Sequence, residues 1–303
     1  MKKYLLITLL IVQVQFPSFV FAQTQLPGYH PERLPNPLED IGVKVRVSQG
    51  SDGYFIYNYE IYNSPVNNGR IVSFDIDIQR GDGKAYVRGD GLPRAQRCHI
   101  PINLMPSITQ VGMDSPPNWN CSVGTDLMAG WGAHDYPYHI LSGQSLSGMI
   151  LTSYGLPGIR DIKVYPLIKG SIYPNIAKYD VDMDELRRVQ LQDRDRLSFK
   201  SKTVGPTSPP SVFDPISFLD YLIGLKHQAA SLGWIDNSGI VNSLDVKLDN
   251  AKKKLSQGDN STAKNILNAF INDVEAQVSK HLTSEAYALL KYNAMYLIAN
   301  LTK

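Results

Sequence analysis

The last third of this 303-residue chain, from Phe213 to Leu301, contains four amphipathic helical patterns in succession. In each pattern, apolar residues recur three or four positions apart, as on one face of a helix. Asp214-Pro215 is a typical helix start, Thr283 is a second capping residue, and Gly233 and Gly258 are typical helix ends. Because short loops favour antiparallel neighbours, the segment 213–303 is predicted to form a bundle of about four helices.

Several positions in this helical segment combine small, polar and apolar residues at defined places. They are Leu232-Gly233 with Ile235, Asn242-Ser243-Leu244, Lys247-Leu248 with Ala251, and Asn268-Ala269-Phe270-Ile271 with Val274. At these positions the segment resembles the FIMAH domain, a module found near the C-terminus of many secreted bacterial proteins. The resemblance implies an accessory module rather than a catalyst, and it supplies no catalytic residues.

The region from 41 to 197 changes to the alternating pattern of half-buried strands. Turn-forming residues in Asn63–Gly69 predict a hairpin between the second and third strands. The predicted strands are Val43–Val47, Gly53–Tyr62, Val72–Ile78, Ser107–Val111, Ser145–Thr152 and Ile162–Leu167. Several short strands at this spacing predict an antiparallel β-sandwich. The fold class is therefore an all-β domain followed by an all-α domain.

Part of the β-rich region also resembles a β-sandwich unit that often precedes FIMAH modules. The resemblance rests on three short motifs, Tyr57–Asn63, Pro116–Trp119 and Leu141–Gly148. Met149 follows the third motif where an aromatic residue would be commoner. This resemblance implies no particular chemistry.

The N-terminus has the pattern of a secretory signal peptide. A basic start precedes the apolar run Tyr4–Val14, and small residues allow cleavage after Ala22. We therefore expect a signal peptide at 1–22, an N-terminal extension at 23–40, and a secreted, periplasmic or extracellular protein without a transmembrane segment after cleavage.

Residues 198–212 are rich in proline, serine and threonine, a composition that predicts a linker between the two domains. The preceding stretch, Asp180 to Arg196, alternates acidic and basic residues. It is interpreted as a solvated strand or short helix that closes the sandwich.

Charge and cysteine content limit the partners of the chain. The formal net charge is only +2 at pH 7, and the basic residues are scattered, which argues against a nucleic-acid partner. The only two cysteines, Cys98 and Cys121, are expected to pair in an exported protein. In the chain-entropy model, closing this loop of about 24 residues stabilises the fold by roughly 3 kcal/mol. No cofactor is expected.

Two patterns keep a hydrolase open as an alternative. His134, Asp135 and His139 could supply three ligands to a metal, although their spacing fits neither a helical face nor a strand. Asp75 and Asp77, together with Glu60 on a neighbouring strand, could form a carboxylate cluster. Such a cluster could bind calcium or supply the two carboxylates of a glycosidase. The sequence contains no GxSxG motif, so it gives no support for catalysis by a serine nucleophile.

Four aromatic residues, Trp119, Trp131, Tyr136 and Tyr138, form the best candidate ligand site. Exposed aromatic rings can stack on sugars or anchor protein interfaces, whereas buried ones would fill the sandwich core. The sequence thus predicts a secreted, non-enzymatic binding protein for a carbohydrate or a cell-surface partner. A structural or assembly role in the cell envelope is the third possibility.

Overall fold

Two β-sheets and a group of C-terminal helices make up the computed structural model, which describes residues 26–51, 53–79, 98–99 (backbone only), 112–124, 126–133 and 135–301. The strands are β1 (Ile41–Gln49), β2 (Phe55–Asn63), β3 (Ile71–Asp77), β4 (Cys98–His99), β5 (Met113–Asp114), β6 (Trp119–Val123), β7 (Met128–Ala133), β8 (Ser145–Ser153), β9 (Leu156–Pro166) and β10 (Phe199–Thr207). The helices are α1 (Met183–Leu197), α2 (Pro215–Ser231), α3 (Ser238–Ser256), α4 (Asn260–Gln277) and α5 (Ser284–Asn300).

The strands form a four-stranded sheet in the order β1-β2-β8-β5 and a six-stranded sheet in the order β10-β9-β3-β7-β6-β4. All strand pairs are antiparallel except β4 with β6. The predicted signal peptide and the predicted strand Ser107–Val111 lie outside the described residues. Each of the other five predicted strands overlaps an observed one, and the predicted fold class is confirmed.

The core lies between the two sheets, where inward-facing aromatic residues meet. The ring of Tyr59 on β2 lies 5.4 Å from that of Phe74 on β3 and 5.9 Å from that of Trp131 on β7. The Tyr59 hydroxyl donates to the carbonyl of Val204 on β10 at 3.1 Å. Alternation along β2 and β6 buries one face of each strand against the other sheet, as the sequence pattern requires.

The predicted hairpin between β2 and β3 is wrong, because the two strands belong to different sheets. β2 pairs instead with β1 and β8, and the segment after it carries the chain across to the second sheet. Buried amides hold this crossing in place, since Asn67 Nδ2 donates to the carbonyl of Glu39 at 2.6 Å and to Asn63 Oδ1 at 3.0 Å. Turn-forming residues indicate where a strand ends, but not which sheet the next strand joins.

The predicted linker at 198–212 is also wrong over most of its length, because residues 199–207 form β10. β10 is an edge strand that pairs with β9, and its Pro206 lies opposite Pro157. An edge strand tolerates proline because one side of its backbone needs no sheet partner. The charged stretch before it adopts the helical alternative, α1, with Asp182 capping the first turn.

The helical segment confirms the predicted starts and ends. Asp214 caps α2 by accepting from the Ser217 amide at 2.7 Å, and Thr283 caps α5 by accepting from the Ala286 amide at 3.3 Å. Gly233 and Gly258 follow α2 and α3 with positive φ values of 74° and 76°. Each of α2 and α4 lies beside both α3 and α5, as in a four-helix bundle.

Helix α5 joins the bundle to the sandwich by packing against β1, β9 and β10. The buried Glu285 carboxylate accepts from the Val45 amide at 2.8 Å, and the Tyr292 hydroxyl donates to the Val47 carbonyl at 3.0 Å. Asn293 Nδ2 donates to the Pro157 carbonyl at 2.8 Å. The helices are therefore docked on the sandwich through buried polar contacts. On the edge strand β1, these contacts give partners to backbone groups that would otherwise be unpaired.

Among the helices that the structure describes, none combines the length and apolar character needed to cross a membrane.

Candidate functional site

The structure divides the four predicted aromatic site residues into a buried pair and an exposed pair. Trp119 and Trp131 are each 1% exposed, so neither can serve as an open stacking platform. Tyr136 and Tyr138 are 58% and 42% exposed. The prediction that all four contact a ligand is therefore wrong for Trp131, whose ring stacks on Phe74 inside the core.

Trp119 has a structural role that still connects it to the exposed pair. Its indole Nε1 donates to the carbonyl of Tyr138 at 3.0 Å, and its own carbonyl accepts from the Ser115 hydroxyl at 2.7 Å. The indole thus fixes the position of the loop that presents the tyrosines. Burying the Trp119 side chain is favourable here because its indole N–H has a hydrogen-bond partner, the Tyr138 carbonyl.

An open pocket of about 210 Å³ lies against this indole. Its walls come from three segments of the chain that meet at one end of the sandwich. They comprise Pro117, Trp119, Pro137, Tyr138, His139, Ile140, Gln144, Ser145 and Leu146. We call this the aromatic pocket.

The loop that forms one wall of the aromatic pocket is fastened to the crossing between β2 and β3. Ile71 and Ile140 exchange two backbone hydrogen bonds of 3.0 Å. Asn63 Nδ2 donates to the Ile140 carbonyl at 3.0 Å, and Ser142 Oγ donates to the Pro65 carbonyl at 3.2 Å. Tyr136–Tyr138 form a single 3-10 turn with Pro137 at its centre. The pocket wall is therefore preorganised by main-chain contacts.

His139 is the principal titratable group in the pocket wall. Its Nδ1 atom is buried and has no hydrogen-bond partner among the described residues. Burial, reinforced by the positive charge of Arg70, lowers the pKa of His139 below its usual value, and the carboxylate of Asp135 opposes this shift only in part. The lowered pKa favours the neutral imidazole, in which one ring nitrogen donates and the other accepts a hydrogen bond.

Arg70 adds a cation beside the aromatic pocket. Its guanidinium lies 3.9 Å from the centre of the Tyr136 ring, and that ring lies 5.7 Å from the ring of His139 in an edge-to-face arrangement. Sequence reasoning missed Arg70 because it is distant in the chain from the aromatic residues. The only signal in the sequence was its position beside the turn-forming segment that ends β2.

The predicted metal site remains a prediction. His134 lies outside the described residues, Asp135 is exposed and His139 is half-buried. Within the described part of the chain, no group of three histidine, cysteine, aspartate or glutamate side chains could hold a metal ion. That finding does not test a site that includes His134.

The predicted carboxylate cluster is wrong because its members lie on different sheets. Glu60 is on β2, whereas Asp75 and Asp77 are on β3. Both aspartates have arginine partners, Arg194 for Asp75 and Arg160 for Asp77, at 3.4 Å each. Glu60 is separated from the two aspartates by the thickness of the sandwich, so the three carboxylates do not form one cluster.

The two cysteines lie opposite each other in the parallel pair of β4 and β6. Neighbouring strands are about 4.8 Å apart, which is within the Cα separation that a disulfide accepts. Cys121 is buried, while the side chain of Cys98 lies outside the described residues. The disulfide stays a prediction that this register supports.

The fold and the pocket together define a class of protein, a β-sandwich with a C-terminal helical module and a pocket at one end of the sandwich. Residues 219–299 match the model of the FIMAH domain, which confirms the resemblance of the helical module. None of the curated proteins gives a significant match to the chain. The aromatic pocket lies entirely outside the matched residues.

Proposed function

We propose that this chain is an exported, non-enzymatic binding protein that recognises a carbohydrate in the aromatic pocket. The observation that carries the proposal is the meeting of exposed Tyr138 with the half-buried imidazole of His139 at the wall of one preorganised pocket. A sugar ring offers an apolar face for stacking and hydroxyl groups for hydrogen bonds, which matches this combination.

The dimensions of the pocket favour a terminal or projecting sugar unit. A volume of about 210 Å³ is below the range of roughly 300–1,000 Å³ for drug-sized ligands. Tyr136, exposed in the same turn as Tyr138, offers a second ring for further sugar units of an oligosaccharide. Pro117 and Pro137 make the walls rigid, which reduces the entropy lost on binding.

Export is part of the proposal and rests on the N-terminal sequence pattern. The helical module supports it, because the FIMAH resemblance is to secreted bacterial proteins. Its docking on β1 and β10 leaves the aromatic pocket uncovered, since the pocket is built from other segments. The module thus stabilises the sandwich from the side, and recognition takes place at its end.

We expect Tyr138→Ala to weaken binding of a glycan about tenfold or more, because an exposed aromatic side chain is a typical energetic hot spot. The Trp119 hydrogen bond is to the backbone carbonyl of Tyr138 and is retained in the variant. A glycan array with the mature wild-type protein selects the ligand, and isothermal titration then compares the variants.

Tyr154→Ala is the matched control. Tyr154 is also an exposed tyrosine, at 52%, but it follows the far end of β8, a strand that spans about 26 Å from Ser145 to Ser153 at 3.3 Å per residue. Binding by this control should equal that of the wild type. A blank array for the wild type, or unchanged affinity in Tyr138→Ala, would contradict the proposal.

A further inference from the structure

We infer that the sugar recognised by the aromatic pocket carries a carboxylate, as a hexuronate does, and that Arg70 binds this group. The inference rests on the proposed function and specifies its ligand. It starts from a difference between the two half-buried arginines of the described chain, Arg70 and Arg160.

Arg160 has its charge compensated, because Asp77 Oδ2 lies 3.4 Å from its Nη1 and the carbonyl of Pro206 accepts from its Nε at 2.7 Å. Within the described residues, no carboxylate lies within 4.0 Å of the Arg70 guanidinium. Removing a cation from water without a partner is unfavourable. Arg70 is therefore prepared for an anion that the described part of the protein does not supply.

The chemistry of the Arg70 guanidinium suits a carboxylate. Its central carbon lies 3.9 Å from the centre of the Tyr136 ring, a cation–π contact that limits the positions of the side chain. A planar guanidinium edge binds a carboxylate through two parallel hydrogen bonds, which a neutral sugar cannot reproduce. Stacking before the ligand arrives also reduces the side-chain entropy lost on binding.

The position of Arg70 connects it to the aromatic pocket. Its neighbour Ile71 is paired with Ile140, so Arg70 lies alongside the residues that form the pocket wall. Tyr136 lies between Arg70 and His139, in contact with both. One aromatic ring therefore separates the Arg70 guanidinium from the pocket wall at His139.

The probes for this inference are an oligosaccharide of four hexuronate units and its full methyl ester. The ester keeps the rings and hydroxyl groups and removes the charge. Isothermal titration measures both against the mature wild type, Arg70→Gln, Arg70→Lys and Tyr138→Ala. The matched control is Arg46→Gln, which changes an exposed arginine on β1, at the opposite edge of the other sheet.

We expect the acid to bind about tenfold to a hundredfold more tightly than the ester, as for hydrogen bonds to a charged group. Arg70→Gln should remove this preference by weakening binding of the acid, Arg70→Lys should keep part of it, and Arg46→Gln should behave as the wild type. Thermal melting verifies that each variant is folded.

Two results would overturn the inference in distinguishable ways. Equal affinity for acid and ester, unchanged in Arg70→Gln but lost in Tyr138→Ala, would refute the carboxylate and leave the proposed function standing. Failure of both probes to bind, together with binding of a neutral glycan elsewhere than at Tyr138, would refute both the inference and the proposed site.

Discussion

Trp131→Ala is expected to lower the free energy of unfolding by about 3–5 kcal/mol, the range for removing a large aromatic side chain from a core. The Trp131 ring lies 5.6 Å from that of Phe74 on its own sheet and 5.9 Å from that of Tyr59 on the other. Its Nε1 donates to the carbonyl of Asp114 at 2.8 Å, and alanine would leave that carbonyl without this donor. Denaturant unfolding monitored by circular dichroism measures the loss.

Tyr136→Ala is the comparison for this variant, since Tyr136 belongs to the same predicted aromatic set but is exposed. It should lose at most about 1 kcal/mol, mainly from its contact with Arg70. Similar losses in the two variants would mean that the division into a buried and an exposed pair is incorrect.

Asp75→Asn is expected to stabilise the protein at pH 7 to 8 by about 1–3 kcal/mol. Asp75 is held beneath α1, where Arg194 Nη2 lies 3.4 Å from its Oδ2. Its Oδ1 packs so closely on Gly130 that a side chain there would begin only 2.7 Å away. Burial raises the pKa of Asp75 to about 6, against the lowering effects of Arg194, Tyr165 and Lys163, while Asp126 adds to the increase. Ionised Asp75 is therefore a net cost that the neutral amide avoids.

The sign of the pH dependence follows from where the proton is bound. An unfolded aspartate releases its proton near pH 4, whereas folded Asp75 keeps it until about pH 6. The folded state therefore binds more protons over this interval, and stability falls as pH rises from about 4 to 6. The advantage of Asp75→Asn should appear in that interval and be absent at pH 3.

The measurement is the difference in unfolding free energy between variant and wild type at each pH, because it cancels the other titrating groups. Asp161→Asn serves as the control. Its exposed carboxylate pairs with Lys202 at 2.6 Å, and such surface pairs contribute about 0–1 kcal/mol. A loss of stability in Asp75→Asn at pH 7 would show that the Arg194 pair outweighs the cost of burial.

The helical segment could be predicted from the sequence because its signals are local. A cap such as Asp214 and a positive-φ glycine such as Gly233 act on the turn of backbone beside them. The strands were predictable for the same reason, since the alternation from Phe74 onwards in β3 records which side faces the core. Both kinds of signal concern single elements.

The relations between elements were harder to predict. Pro206 appeared to exclude a strand, yet it is compatible with β10 because β10 lies at an edge. The docking of α5 depends on Glu285, Tyr292 and Asn293 meeting backbone groups far away in the chain. No pattern within one segment indicates such a partner, and a linker was therefore the simplest interpretation of residues 198–212.

The candidate site was predicted in part. The sequence indicated the segment with Tyr138 and His139, which lines the aromatic pocket, but it could not separate exposed rings from buried ones. Trp119 and Tyr138 are both aromatic residues near turns, and only the tertiary packing places one in the wall and the other at the opening. Arg70 was not predicted, because its contact with Tyr136 depends on the pairing of Ile71 with Ile140.

The central claim, that a sugar binds in the aromatic pocket, is tested most directly by the indole N–H signals of the three tryptophans, Trp119, Trp131 and Trp234. In nitrogen-15-labelled protein, a Trp119→Phe variant assigns the Trp119 signal. Titration with the hexuronate oligosaccharide, or with the glycan selected on the array, should shift the Trp119 signal and leave those of Trp131 and Trp234 unchanged. Saturation of binding without a shift of the Trp119 signal would contradict the account.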